Sequence, residues 1–105
     1  MGLYIINDRR NQVAFYVVSH KVEDFSVWKK IYDAFEPTRE QFGVKEHYAL
    51  QSVDESNHVL VLGEGDLEAI KKYLDSEELK KGMGKAGVSG APEIFIGKTI
   101  EPFAK

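Results

Sequence analysis

Along this chain the apolar repeat alternates between two residues and three-to-four residues in a fixed order, and that order limits the fold more than any other feature. Val13 to Ser19 is β-branched and aromatic, without Gly or Pro, which predicts a strand. Both of its alternating sets are largely apolar, so burial on both faces is expected. Asp24 is placed to cap a helix that begins at Phe25, by accepting a bond from a first-turn N–H. Phe25, Trp28, Ile31, Tyr32 and Phe35 then recur at spacings of three and four, forming one apolar stripe. Pro37 removes a helical hydrogen bond and clashes with the preceding turn. It predicts a kink or restart, with a second segment running to Phe42. Gly43 closes that segment, because Gly accepts the left-handed C′ conformation.

Val44 to Val53 and His58 to Glu64 read as the next two strands, joined by the polar turn formers Asp54-Glu55-Ser56-Asn57. Asp66 caps another helix, whose buried stripe is Leu67, Ile70, Tyr73 and Leu74. Asp75-Ser76-Glu77-Glu78 carries a fresh capping signal, so this helix is expected to break near Ser76 and resume to about Lys81. Gly82, Gly84, Gly87 and Gly90 predict a loop. Pro92 opens the last expected strand, Glu93 to Ile100, where a missing N–H costs no ladder bond.

The order β-α-β-β-α-β predicts an α+β domain of ferredoxin-like type spanning residues 13–101, with residues 1–12 as an N-terminal extension and possible edge strand. Right-handed crossovers put both helices on one face of a four-stranded antiparallel sheet. No predicted element covers the other face, yet strands one and three look apolar on both sides. An apolar face of that size calls for a partner, and a second copy related by a twofold axis is the simplest. A homodimer through the sheet face is therefore expected.

Composition removes several function classes. Apolar residues make up 43% and charged residues 30% of 105, an ordinary globular balance. A net charge of −3 supplies no basic face for nucleic acid. The absence of cysteine excludes disulfides, thiolate nucleophiles and cysteine-ligated metals. No stretch is long and apolar enough to suggest a membrane span. The apolar run Leu3 to Ile6 precedes rather than follows basic residues, unlike a signal peptide, so a cytoplasmic location is expected.

Several local runs carry a family likeness. His20-Lys21-Val22-Glu23-Asp24-Phe25, then Trp28-Lys29 and Arg39 before Gly43, resemble the start of small dimeric α+β barrel proteins related to the antibiotic-biosynthesis monooxygenases. The Asp54 to Asn57 loop, Ser76-Glu77-Glu78-Leu79-Lys80, Ala86-Gly87-Val88 and Ala91-Pro92-Glu93-Ile94 fit the same pattern. Gly63-Glu64-Gly65 departs from it, because many monooxygenase relatives have a Trp at the end of the third strand. The resemblance implies a dimeric α+β barrel from an uncharacterised subgroup. It also implies a cofactor-independent monooxygenase-like enzyme that takes a small aromatic or quinol substrate. A non-catalytic ligand-binding or stress-related dimer is the alternative, and a purely structural dimerisation module the third.

Three histidines bear on that chemistry. If His20 and His47 point between sheet and helices, either serves as a general base near neutral pH. Their spacing matches no metal box, although His20, His47 and Glu64 could still meet as a two-His, one-carboxylate site; no metal and no cofactor are expected. His58 follows the polar loop and reads as exposed. Trp28, Tyr32, Phe15, Tyr16 and Tyr48 are candidates to line an aromatic pocket, with plain core packing as the competing reading. Glu64 reads either as a pocket carboxylate or as a residue flanking a helix cap. The Gly82 to Gly87 run follows a helix and leads to a strand, the reverse of a phosphate loop, so a connector or a gate over a pocket mouth is expected.

Overall fold

The computed structural model describes residues 13–100. The N-terminal extension, with its possible edge strand, lies outside the described residues. The elements are β1 (Val13–Val22), α1 (Phe25–Ala34), α2 (Glu36–Phe42), β2 (Val44–Gln51), β3 (His58–Asp66), α3 (Leu67–Leu74), α4 (Glu77–Lys85) and β4 (Val88–Gly97). The four strands form one antiparallel sheet in the order β2-β3-β1-β4, the ferredoxin-like arrangement. Among the described residues no helix is long and apolar enough to cross a membrane.

Three side-chain caps set the helix starts. The Asp24 carboxylate accepts from the N–H groups of Ser26 and Val27, Asp66 accepts from Glu68, and Ser76 Oγ accepts from Leu79. Ser76 Oγ also donates to the Tyr73 carbonyl, so one hydroxyl ends α3 and begins α4. Pro37 sits in the first turn of α2, where its missing N–H leaves nothing unpaired. Gly43, at φ 80°, ends α2 as expected.

Strand β1 sorts its residues cleanly. Ala14, Tyr16, Val18, His20 and Val22 are buried against the helices, and the intervening residues face the other way. The helix-facing set joins Val59 and Val61 of β3, Val44 of β2, and Trp28, Ile70 and Tyr73 in one core. The opposite face is largely apolar and is covered by none of the described helices. Phe15, Val17, Leu60 and Leu62 are half-buried there, and Tyr48, Leu50 and Phe95 are 61%, 54% and 69% exposed.

Several boundaries differ from the sequence expectation, including β3, which runs past Glu64 to Asp66, and β4, which ends at Gly97 rather than Ile100. Strand β1 runs three residues beyond Ser19, to Val22, while β2 stops at Gln51. Helix α4 continues through Gly82 and Gly84 to Lys85, in place of the expected glycine loop. Tertiary packing overrides propensity there, because the Phe35 ring lies against the Gly82 backbone and α4 docks on it. Strand β4 starts at Val88, so Pro92 lies inside it. The pairing of β1 with β4 shifts between Ser19 and Lys21, and Pro92 falls in that irregular stretch of an edge strand, where no ladder N–H is needed.

The two helical glycines of α4 separate propensity from packing. A Cβ at Gly84 meets nothing within 4 Å, whereas one at Gly82 comes 2.9 Å from the Phe35 ring. Gly84→Ala should stabilise the fold by about 0.5–1 kcal/mol, the usual helix gain. Gly82→Ala should gain less or lose stability, and urea melts of both variants check this.

Candidate functional site

Between the helices and the buried face of the sheet lies a cavity of about 60 Å³ that opens to solvent. Its walls are mainly apolar, from Val18, Trp28, Ile31, Phe35, Leu79 and Met83, among others. A filled core at this place would have left only the structural reading. The polar groups on its wall include His20 from β1, Tyr32 from α1, Arg39 from α2, Glu46 from β2 and Tyr73 from α3.

His20 is 7% exposed, and neither ring nitrogen has a hydrogen-bond partner among the described residues. Buried polar atoms are normally paired, so an orphaned imidazole beside a cavity is an exception that makes His20 a candidate functional group. Burial, reinforced by the nearby His58, lowers its pKa below the ordinary histidine value. The ring is therefore neutral at pH 7 and able to accept a proton. Its edge meets Trp28, with ring centroids 6.0 Å apart. Trp28 stacks in turn on Tyr32 at 4.8 Å, and the Arg39 guanidinium lies 4.3 Å above the other face of Tyr32.

Glu46 fixes this wall from behind. Tyr16 Oη donates to its Oε2 at 2.9 Å, and Tyr32 Oη donates to its Oε1 at 2.7 Å. Arg39 Nε stands 3.7 Å from Oε1, and Arg39 Nη1 donates to the Tyr32 carbonyl. The two charged side chains are only 9% and 5% exposed. Burial, with the negative charge of Glu46, pushes the phenols of Tyr16, Tyr32 and Tyr73 far above the usual tyrosine range. All three stay protonated, so these phenols are donors and not bases.

Gly63 makes the Tyr16–Glu46 contact possible. Tyr16 and Glu46 both register opposite Gly63, one from each neighbouring strand. With no side chain between them, the Tyr16 phenol crosses the Gly63 backbone to reach the carboxylate. A Cβ at Gly63 would stand 2.5 Å from Tyr16 Oη and 2.7 Å from Cε1.

The structure divides the sequence-derived candidates between the two faces of the sheet. His20, Trp28 and Tyr32 meet at the cavity, and Tyr16 supports it from behind. Phe15, Tyr48, His47 and Glu64 lie on the opposite face. Phe15 alternates with Tyr16 and so cannot share its side. Tyr48 would follow Glu46 inward, but a register shift between Glu46 and Tyr48 turns it out. His47 Nε2 and Glu64 Oε1 meet at 2.6 Å on that outer face, in a half-exposed pair. The two-His, one-carboxylate arrangement that His20, His47 and Glu64 could have formed does not occur, because His20 lies on the other face of the sheet. Among the described residues no group of three or more His, Asp or Glu side chains is placed to hold a metal. His58 is half-buried rather than exposed, with Nε2 2.8 Å from Ser19 Oγ. Arg39, Glu46 and Tyr73 were not among the sequence candidates. Gly63 was the available signal, since a glycine inside a strand marks a close approach.

Gly63→Ala should force the Tyr16 ring off its site and break its bond to Glu46. The expected loss is about 1–3 kcal/mol of stability, as for other overpacked positions, measured by chemical denaturation. Full stability with an intact Tyr16–Glu46 bond would refute this account of the glycine.

Neither a protein-family model nor a curated protein sequence matches this chain. Solved structures do match it. SnoaB, a cofactor-independent oxygenase from Streptomyces nogalater, superposes with a TM-score of 0.73 at 12% identity, covering 89% of this chain and 98% of its own. Rv0793 from Mycobacterium tuberculosis gives 0.67 at 12% identity, over 89% and 100% of the two chains. An antibiotic biosynthesis monooxygenase structure gives 0.67 at 11% identity, over 84% and 99%. At such identities the likeness speaks to architecture, and this chain has the ferredoxin-like fold of the antibiotic-biosynthesis-monooxygenase-like structures.

Proposed function

We propose that this chain is a cofactor-independent monooxygenase-like enzyme that oxidises a small phenol or quinol in the cavity beside Trp28, with His20 as its general base. The observation that carries this reading is the buried, neutral and unpartnered imidazole at an aromatic-lined cavity. The fold shared with a cofactor-independent oxygenase agrees with it. Such a reaction closes its own redox balance. A phenol with a free para C–H takes one oxygen atom of O₂ at that carbon and becomes a quinone. The second oxygen leaves as water with the two hydrogens removed, so no external reductant is required.

His20 accepts the phenolic proton, which makes the ring electron-rich enough to react with O₂. The imidazolium then returns that proton to the departing oxygen as the O–O bond breaks. The apolar walls hold the aromatic ring and limit water access. The protein works in the cytoplasm as a homodimer, its open apolar sheet face covered by a second copy. Exposed Tyr48, Leu50 and Phe95 on that face support the pairing. A ligand-binding dimer without turnover is the second reading, favoured by the same cavity.

Oxygen uptake with a panel of phenols and quinols tests the enzyme reading. His20→Ala should lower kcat/KM by about 10²-fold or more, while His47→Ala, on the far face, should leave it within about twofold. Because the His20 pKa lies below the ordinary value near 6.5, kcat/KM should stay level at neutral pH and fall only on the acid side of 6.5, as the base is protonated. Saturable binding without oxygen uptake by the wild-type protein would sink the enzyme in favour of the binding dimer. Sedimentation should give a dimer that Leu50→Glu with Phe95→Glu converts to a monomer; a wild-type monomer at micromolar concentration would refute the pairing.

A further inference from the structure

The stack behind the cavity has a second property that proton chemistry does not use. Trp28 is the only tryptophan of the chain, and it lies on the cavity wall. Its ring is stacked on Tyr32 with 4.8 Å between centroids and 20° between planes, close enough for direct orbital overlap. The Tyr32 hydroxyl donates to the Glu46 carboxylate at 2.7 Å. A phenol that loses an electron becomes a very strong acid, so it is oxidised readily only where a base can take its proton at the same moment. Glu46 is such a base, already hydrogen-bonded and nearly inaccessible to water.

We propose that Trp28, Tyr32 and Glu46 form a radical relay that moves an oxidising equivalent from Trp28 along the cavity wall to Tyr32. An electron passes from Trp28 to a one-electron oxidant in the cavity, leaving a tryptophan radical cation. Tyr32 refills Trp28 with one electron, and the Tyr32 proton moves to Glu46. With a peroxyl radical as oxidant, the sum is ROO• plus Tyr32–OH plus the Glu46 carboxylate, giving ROO⁻ plus Tyr32–O• plus Glu46–COOH. Charge, atoms and electrons balance.

Two further features fit this direction of flow. Arg39 sits 4.3 Å over the Tyr32 ring and disfavours any positive charge there, so Tyr32 must give up its proton together with its electron. Burial and Glu46 also hold the Tyr32 phenol protonated, so the proton leaves only with the electron. The relay spares two oxidation-prone groups on the cavity wall, Trp28 itself and Met83, whose thioether oxidises to the sulfoxide. The relay geometry stands apart from the proposed oxygenation, and only the source of its physiological oxidant rests on that reading.

Laser photoionisation of Trp28, with hexaamminecobalt(III) capturing the ejected electron, tests the relay without any substrate. In the wild-type protein the tryptophan radical should decay as a tyrosyl radical rises. Tyr32→Phe should abolish that transfer and lengthen the tryptophan radical lifetime by about tenfold or more. Glu46→Gln keeps a hydrogen-bond acceptor but removes the base, and should slow the transfer while the stack persists. Under peroxyl radicals from an azo initiator, mass spectrometry should show Trp28 and Met83 oxidised several-fold faster in either variant. Equal tryptophan radical lifetimes in the wild-type protein and both variants would overturn the relay, as would loss of transfer in Tyr16→Phe instead of Tyr32→Phe. A protein that shows the relay but turns over no phenol would retain the relay and lose the oxygenase.

Discussion

One buried carboxylate holds the helical layer to the sheet. Glu46, on β2, accepts from a tyrosine on β1 and a tyrosine on α1, and faces an arginine from α2. A carboxylate removed from water is costly unless its lone pairs are used and its charge is answered. Here both conditions are met by groups from three other elements. The consequence is directional as much as energetic. Three side chains converge on its two oxygens, so the Tyr32 ring has one position. Trp28 then has one position against Tyr32, and His20 against Trp28. The open cavity depends on this chain of contacts, because an aromatic wall without a fixed back would collapse into the space it borders.

That carboxylate could not work without the glycine beside it. Adjacent strands lie about 4.7–4.9 Å apart, so Tyr16 and Glu46, two strands apart, must span a full intervening strand. Gly63 leaves that span empty of side chain. Gly63, within the Gly63-Glu64-Gly65 run that departs from the resembled pattern, is thus what this chain's own polar network requires. A bulky residue in that row and a Tyr–Glu bridge across it exclude each other.

The layout of the fold was legible because long apolar stripes and capping residues report on local structure. Asp24, Asp66, Ser76 and Gly43 each stand where a helix begins or ends. Reading failed where tertiary contacts decide. Gly82 looks like a loop residue until Phe35 is packed on it. Tyr48 looks like an inward residue until the bulge after Glu46 turns it outward. The site was half legible for a related reason. His20, Trp28 and Tyr32 lie on stripes that sequence periodicity reveals, whereas Glu46 and Arg39 look like ordinary surface charges. Their burial follows from their meeting each other, and periodicity carries no information about pairs.

The sheet therefore has two faces with different demands, and β1 shows both within a few residues. Tyr16, Val18 and His20 serve the cavity, while Phe15, Val17 and Ser19 face the open side. A one-residue slip of β1 would send His20 to the open face and Phe15 into the network of Glu46. Register is thus under two independent constraints, the polar row Tyr16–Gly63–Glu46 and the apolar stripe against the helices. The outward residues are free of both, since neither the helices nor Glu46 touches them. Among the described residues nothing covers them, and a half-buried Phe15, Leu60 and Leu62 beside an exposed Phe95 make that face the one on which a covering surface would bury apolar area.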